Sequence, residues 1–383
     1  MKWDASIIRQ RKIGMSKYCI IYNFAQQYRA PIFSLIDKAL DCDWCFGRNT
    51  TDIKGMDTSL LKHVELVDNI TVFRRPLYRQ KSVTQKALSN EYDALILLGD
   101  LFNLSVWNIL IRNKLFKHKK IYLWSHGWYG DEGFAKRILK KIFFGLADKV
   151  FLYGNYAKKV AIGQGFDESK LVVIHNSLDY EQQVKLREKL SSSDIYTAHF
   201  KNSNPVLLFI GRLTSVKRLD QLVDAVEILK ERGEIYNVVF IGDGEQRLNL
   251  ERQVSEKGLD DQFWFYGKCY DDTENAELIY NADLCVAPGN VGLTAMHTMV
   301  FGCPVLTHDD FSQQMPEFEA IQTGKTGAFF KRGDVLSLAD SIERWFAENR
   351  MKRNQIRYDC YEEISKSWTP QYQLEVLKKN LEA

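Results

Sequence analysis

An α/β fold made of two doubly wound domains in tandem is predicted by three observations. The chain has 383 residues, a length that suits two domains of ordinary size. Short apolar runs alternate with stretches of helical periodicity, the signature of a parallel sheet with crossover helices. The alternation then stops at a polar stretch near residue 200 and starts again.

In the first half the predicted strands are Tyr18–Tyr22, Asp43–Phe46, Ala94–Leu98, Ile121–Trp124, Val150–Tyr153 and Leu171–Ile174. Several are apolar throughout, as strands covered on both faces are. The segment Leu190–Pro205, with Ser191, Ser192, Ser193, Asn202, Ser203 and Asn204, reads as an irregular linker. The second half has strands Val206–Ile210, Asn237–Ile241, Phe263–Tyr266, Leu284–Ala287 and Pro304–Thr307. Between the first two, Leu219, Leu222, Val223, Val226 and Leu229 fall on one helical face. No strand signal follows Arg350, and the tail reads as terminal helices that would pack back on the first domain. The expected organisation is a first domain over residues 1–185, a linker over 186–204, a second domain over 205–350 and terminal helices over 351–383.

Composition narrows the function class. Hydrophobic residues make up 45% and charged residues 26%, which excludes a disordered or collagen-like chain. The net charge of +3 argues against a nucleic-acid binder, which is usually strongly basic. That near-neutral total hides a split. Residues 1–180 carry 28 Lys and Arg against 17 Asp and Glu, a net of +11, and the remainder carries 24 against 32, a net of −8. A basic first domain suits an anionic partner.

Seven scattered cysteines do not form a disulfide framework, and thiols fit a reducing cytoplasm. Cys42 and Cys45 have C-x-x-C spacing, but no second pair follows for zinc. The start, Met1 to Lys12, lacks the apolar core of a signal peptide. The longest apolar stretch, Ala94 to Ile111, is broken by Asp100, Asn103 and Asn108, so no membrane span is expected. The expected location is cytoplasmic, peripheral to the inner face of the membrane.

Ligands of doubly wound sheets bind at the carboxyl ends of the strands. Val206–Ile210 ends in Gly211-Arg212-Leu213-Thr214-Ser215-Val216-Lys217. A guanidinium and an ammonium at one strand mouth suit a diphosphate. Asn237–Ile241 ends in Gly242-Asp243-Gly244-Glu245, a turn signal. The full G-x-G-x-x-G fingerprint is absent, which argues against a nicotinamide-dependent dehydrogenase. Leu284–Ala287 ends in Pro288-Gly289-Asn290-Val291-Gly292-Leu293-Thr294, a two-glycine loop opening a helix whose N–H groups would meet phosphate, with His297 one turn inside. Glu317 and Glu319 are candidates to accept hydrogen bonds from sugar or ribose hydroxyls, with helix capping as the alternative. In the first half, Ile121–Trp124 ends in Ser125-His126-Gly127-Trp128, which places His126 as a general base or hydrogen-bond donor. Arg29, after the first strand, and Trp128 are the acceptor-side candidates.

These residues resemble a known family. From Gly211 to Gly327 the chain is similar to the nucleotide-sugar-binding half of GT-B-fold glycosyltransferases of family 4, the group 1 glycosyltransferases. The matching pieces are Gly211-Arg212-Leu213 with Lys217, Ile241-Gly242-Asp243-Gly244, Phe265-Tyr266-Gly267, Asn281-Ala282-Asp283, Gly292-Leu293, Gly302-Cys303-Pro304-Val305 and Gly324-Lys325-Thr326-Gly327. Earlier, Val173-Ile174-His175-Asn176-Ser177-Leu178-Asp179 is similar to the segment closing the family's first domain. The resemblance implies two Rossmann-like domains facing across a cleft, with a nucleotide-diphosphate sugar on the second and the acceptor on the first. Arg212 and Lys217 would neutralise the diphosphate, His126 would lie near the transferred sugar, and Gly211, Gly242, Gly289, Asn290, Gly292, Leu293, Thr294, His297, Glu317 and Glu319 would line the donor.

The sequence departs from the family where two glutamates usually stand eight positions apart, since Gly289 and His297 occupy those places. The glycine-rich turn after the family's first strand is also replaced, by Tyr22-Asn23-Phe24-Ala25-Gln26. The function this implies is retaining transfer of a sugar to a hydroxyl of a saccharide or lipid-linked acceptor, in bacterial lipopolysaccharide or capsule synthesis. No cofactor and no metal are expected, because Arg212 and Lys217 would stabilise the leaving diphosphate; Asp41-Cys42-Asp43 reads as structural. The alternatives are a catalytically inactive sugar-nucleotide-binding subunit and a non-hydrolysing sugar-nucleotide epimerase. The basic first domain would rest on an anionic membrane surface through Arg74, Arg75, Arg79, the run Arg112–Lys120 and the helix Lys136–Lys141.

Overall fold

A computed structural model describes residues 16–49, 53–73 and 76–381 of the chain. The stretch Met1 to Lys12 and the pair Arg74 and Arg75, on which expectations were placed above, lie outside the described residues.

The first sheet contains β1 (Lys17–Tyr22), β2 (Asp41–Gly47) and β3 (Val64–Val67). After a short hairpin of β4 (Asn69–Thr71) and β5 (Tyr78–Gln80), it continues with β6 (Ala94–Leu98), β7 (Lys120–Ser125), β8 (Lys149–Leu152) and β9 (Leu171–Val173). Their order is β3-β2-β1-β6-β7-β8-β9, with β1 parallel to both β2 and β6. The order reverses at β1, which makes the β1/β6 junction a topological switch point. The six strands read from the sequence are all present. β2 holds Trp44 and Phe46 stacked at 5.5 Å, with Phe33 against both. Asp43 in the same strand accepts from Tyr92 Oη at 2.8 Å and pairs with Lys17 at 2.9 Å, a structural use of that carboxylate.

The second sheet contains β10 (Val206–Ile210), β11 (Asn237–Ile241), β12 (Phe263–Gly267), β13 (Leu284–Ala287), β14 (Val305–His308) and β15 (Gly327–Phe330). The order is β12-β11-β10-β13-β14-β15, and every neighbouring pair is parallel. The switch point lies between β10 and β13. The helix Leu219–Glu231 buries Leu219, Leu222, Val223, Val226 and Leu229, the face its periodicity predicts.

The described chain divides into two compact units: residues 16–125 with Ile138–Val150, and His126–Arg137 with residues 151–381. This division differs from boundaries at 185 and 205 because residues after His126 bond extensively within the second unit. Gln373 Nε2 donates to His175 O at 2.7 Å, Ser177 Oγ donates to Gln373 at 2.5 Å, and Trp368 packs 4.4 Å from the His175 ring. Those partners lie on the helices Arg353–Ser367 and Pro370–Leu381 and the turn between them.

The stretch read as an irregular linker contains the helix Ile195–Phe200. Tyr196 is buried and donates to Leu278 O at 2.8 Å, and His199 stacks on Trp264 at 3.9 Å. The rings at i and i+3 supply a packing face that the flanking serines and asparagines conceal.

Candidate donor site at the strand ends

The loops after β10, β11 and β13 are tied together by backbone bonds. Gly211 N donates to Ile241 O at 2.9 Å, Leu213 N to Asp243 O at 3.0 Å, and Gly289 N to Lys217 O at 2.9 Å. Two of these contacts demand glycine. A Cβ on Gly242 would lie 1.9 Å from Gly211 O, and one on Gly289 would lie 2.0 Å from Val216 O. Neither neighbour can yield, since each is main chain in a bonded loop.

Lys217 is the focus of the cluster. Its Nζ donates to Asn290 O at 2.7 Å and to Asn290 Oδ1 at 3.0 Å. Burial pulls its pKa down to about 8, Glu317 opposes that shift, and Arg212 reinforces it. Lys217, Arg212 and Glu317 are therefore electrostatically coupled. Arg212 is exposed at the mouth of β10. Glu317 is buried and accepts from Asn176 Nδ2 at 2.7 Å. A half-buried ammonium with two of its three protons held by one asparagine is preorganised, with little rotamer freedom left to lose when an anion arrives.

The β13 loop is clamped from the far side. Gln314 accepts from Val291 N at 2.9 Å and donates to Thr307 Oγ1 at 2.8 Å, while Thr307 Oγ1 donates to Ala287 O at 2.8 Å. Thr294 Oγ1 donates to Ile210 O at 3.0 Å, fastening the start of the next helix to β10. Gln314 and Thr307 were not singled out in the sequence, and Asn176 entered only within the segment Val173 to Asp179. The one local signal for Gln314 is its nearness in the chain to Glu317.

Other expected residues fare differently. The helix after the β13 loop, Thr294–Met299, has only six residues, so its end is a weaker dipole than a long helix would supply. Gly292, with φ of +52°, and Leu293 stand immediately before it. His297 Nδ1 lies 3.4 Å from Gln183 Nε2, and burial lowers its pKa. Glu319 accepts from Asn155 N at 2.7 Å, Tyr156 N at 2.6 Å and Asn155 Nδ2 at 3.1 Å. Its carboxylate thus caps the helix Asn155–Gly163. That corrects the expectation of a donor ligand, since both oxygens are committed to the fold.

His126 sits half-buried just past β7, its ring 4.7 Å from Tyr153. The two acceptor-side candidates are also corrected. Trp128 is 2% exposed and packs 5.0 Å from Phe166. Arg29 is 4% exposed, with its guanidinium 5.5 to 5.6 Å from the rings of Tyr22, Tyr28 and Trp124. Position after a strand does not say which way a side chain points, and these two point inward.

Among the described residues no group of three or more His, Cys, Asp or Glu is placed to hold a metal ion, and no helix is long and apolar enough to cross a membrane.

The sequence model described as "Glycosyl transferases group 1" matches residues 191–362, the stretch that holds the second sheet and the Lys217 cluster. Over that stretch the chain is similar to the group 1 glycosyltransferases. The 2-deoxystreptamine glucosyltransferase of Streptomyces kanamyceticus is 32% identical over 111 residues, 28% of each chain. The alpha-D-kanosaminyltransferase of the same organism is 25% identical over 166 residues, 43% of this chain and 39% of that one. The matched stretches thus span well under half the length of these curated relatives. Among solved structures, HepE of Anabaena in complex with UDP superposes with a TM-score of 0.70 at 18% identity, covering 96% of this chain and 99% of that one. At that identity the likeness shows the fold, GT-B with two Rossmann-like sheets, and it extends through the part of the chain before the matched stretch.

Proposed function

We propose that the protein is a glycosyltransferase that moves a sugar from a nucleotide-diphosphate donor to a hydroxyl of a saccharide or lipid-linked acceptor, with retention of anomeric configuration. The observation that carries this reading is the Lys217 cluster: a half-buried, preorganised ammonium coupled to Arg212 at the β10/β13 switch point, inside the matched stretch. The reaction needs stabilisation of a departing diphosphate, which fixed cations provide without reorganisation. Under this reading Arg212 and Lys217 neutralise the leaving group, no metal is needed, the glycine loops Gly211, Gly242, Gly289 and Gly292 with Asn290, Leu293 and Thr294 line the donor, His297 faces the ribose, and His126 stands by the transferred sugar. HepE has been solved with UDP-glucose, which supports a uridine diphosphate sugar as the first donor to try.

A thermal-shift screen of nucleotide sugars tests the reading. One donor should stabilise the protein by about 2.7 kcal/mol at a hundredfold excess over its dissociation constant. No shift from any nucleotide sugar would refute it.

We further propose that the acceptor is presented at an anionic membrane, in surface polysaccharide synthesis. Ile111, Leu115 and Phe116 are exposed at the end of the helix Leu104–Arg112 and the turn after it, and Ile138, Leu139 and Ile142 on the helix Phe134–Gly145. Trp107 against Phe143 at 4.8 Å sets the two helices side by side. Arg112, Lys114, Lys117, Lys136 and Lys141 are exposed and alternate in sequence with these apolar residues, and no acidic residue occurs in 111–120 or 133–147. Apolar groups interleaved with cations suit a headgroup interface, at about 1 kcal/mol per cation. Flotation should show binding to vesicles rich in anionic lipid, weakened by Leu115→Glu and Phe116→Glu. Equal binding to neutral vesicles would contradict the proposal.

A further inference from the structure

Between β9 and the helix Tyr180–Arg187 the chain turns through Ile174 to Asp179. His175 in that turn has φ of +55°, a left-handed conformation. A non-glycine residue stays there only where its surroundings over-determine it. Its own side chain does not supply the reason. The ring is buried and Nδ1 has no hydrogen-bond partner. Burial pulls its pKa down to about 4, so it stays neutral at ordinary pH.

The turn is held from the far end of the chain. Gln373 is fully buried on the helix Pro370–Leu381, and both ends of its amide are used. Nε2 donates to His175 O at 2.7 Å, and Oε1 accepts from Ser177 Oγ. The rings of Trp368 and Tyr372 lie 4.4 and 5.9 Å from the His175 ring. Gln373 thus pins the residues on either side of Asn176.

Asn176 is turned inward as a result. Its Oδ1 accepts from Ser177 N at 3.0 Å, which fixes which end of the amide faces Glu317. Its Nδ2 donates to Glu317 Oε1 at 2.7 Å. Asn176 is 4% exposed and Glu317 is 1% exposed. A carboxylate buried to that extent needs a donor, and Asn176 is one. Glu317 in turn acts on Lys217. Burial pulls the Lys217 pKa down to about 8, Glu317 opposes that shift and Arg212 adds to it. The titratable groups facing Lys217 are Glu317, Arg212 and Cys285, and Tyr129 faces Glu317 from its own loop.

We propose that Asn176 is a positioning residue for the donor site: pinned by Gln373 from the terminal helix, it holds Glu317 as a carboxylate toward Lys217 and so keeps that ammonium charged. The part this plays in transfer rests on the reading above, whereas the coupling from Asn176 to Lys217 does not.

NMR titration of the full chain, its lysines isotope-labelled at Cε and no substrate present, tests the coupling. The Lys217 signal is the one that vanishes in Lys217→Arg, and its midpoint should lie near pH 8. Asn176→Leu keeps the shape of the side chain and removes its donor, and should lower that midpoint to about 7.5 or below. Glu317→Gln should lower it at least as far. Adding Asn176→Leu to Glu317→Gln should move it no further, because the asparagine acts through the carboxylate. Gln373→Met, which removes the amide at similar volume, should shift Lys217 in the same direction as Asn176→Leu. Ile342→Val, a core change in the helix Val335–Asn349, should lower the melting temperature and leave the Lys217 midpoint in place. Thermal melts report which variants fold, and Asn176→Ala replaces Asn176→Leu if the leucine is not accommodated. The proposal falls if the asparagine variant lowers the melting temperature while the Lys217 midpoint stays or rises. It falls equally if that variant still shifts Lys217 in the Glu317→Gln background. No nucleotide sugar enters the titration, so a chain that transfers no sugar can still show the coupling. An active transferase whose Lys217 ignores Asn176 would sink this proposal alone.

Discussion

Lys217→Ala is expected to lower the rate of sugar transfer by about 10²- to 10³-fold, as loss of a single preorganised donor to a developing anion does in comparable sites. The effect should fall on kcat more than on KM, because the leaving diphosphate gains charge as the glycosidic bond breaks. Lys217→Arg should not rescue it. The ammonium is held by both oxygens of Asn290, and a planar guanidinium does not fit a point-charge cradle. The pH profile separates this role from a merely structural one. With a pKa near 8, Lys217 is charged below that pH and loses its charge above it, so activity of the free enzyme should fall through an alkaline limb near pH 8. Arg212 is one cause of the lowered pKa and Glu317 opposes it. Arg212→Ala should therefore move the limb to higher pH while reducing the rate, and Glu317→Gln should move it lower.

Gly289→Glu is expected to destabilise the protein by at least about 3 kcal/mol, beyond ordinary overpacking, seen as a lower urea midpoint. The resemblance to the family invites this substitution as a repair, because a glutamate usually stands here. The structure shows why it fails. A Cβ would lie 2.0 Å from Val216 O and 2.8 Å from Lys217 Cα, both main chain. The same backbone carries Lys217, so any relief displaces the ammonium. Gly289→Ala should already carry most of the cost, since the first side-chain atom makes the clash. A Gly289→Glu protein that folds with unchanged stability and gains activity would show that the loop can sit otherwise.

The two sheets were legible because buried parallel strands are continuous apolar runs, and all eleven predicted strands are there within a residue or two at their ends. Four strands were missed, two of them the three-residue hairpin pair Asn69–Thr71 and Tyr78–Gln80. Val64–Val67 is an edge strand with Glu65 and Leu66 exposed, and Gly327–Phe330 opens on a glycine pressed against Val305 O. The site was legible only where the strand-end rule applies to the backbone itself. It points to Lys217, Asn290 and the glycine loops, which the structure brings together at the ends of β10, β11 and β13. It misplaced Arg29 and Trp128, whose direction is set by packing, and Glu319, whose partners Asn155 and Tyr156 lie more than 160 residues away in the chain. The clamp of Gln314 on Thr307 and Val291 is likewise a product of topology, which no local pattern records.

The most direct test of the central claim is release of nucleoside diphosphate from a panel of nucleotide sugars, with and without a chelator. The account predicts release from one donor, undiminished by EDTA and reduced at least about a hundredfold in Lys217→Ala. Release that is the same in wild type and Lys217→Ala, or none from any donor that binds, would contradict it and favour a sugar-nucleotide-binding subunit.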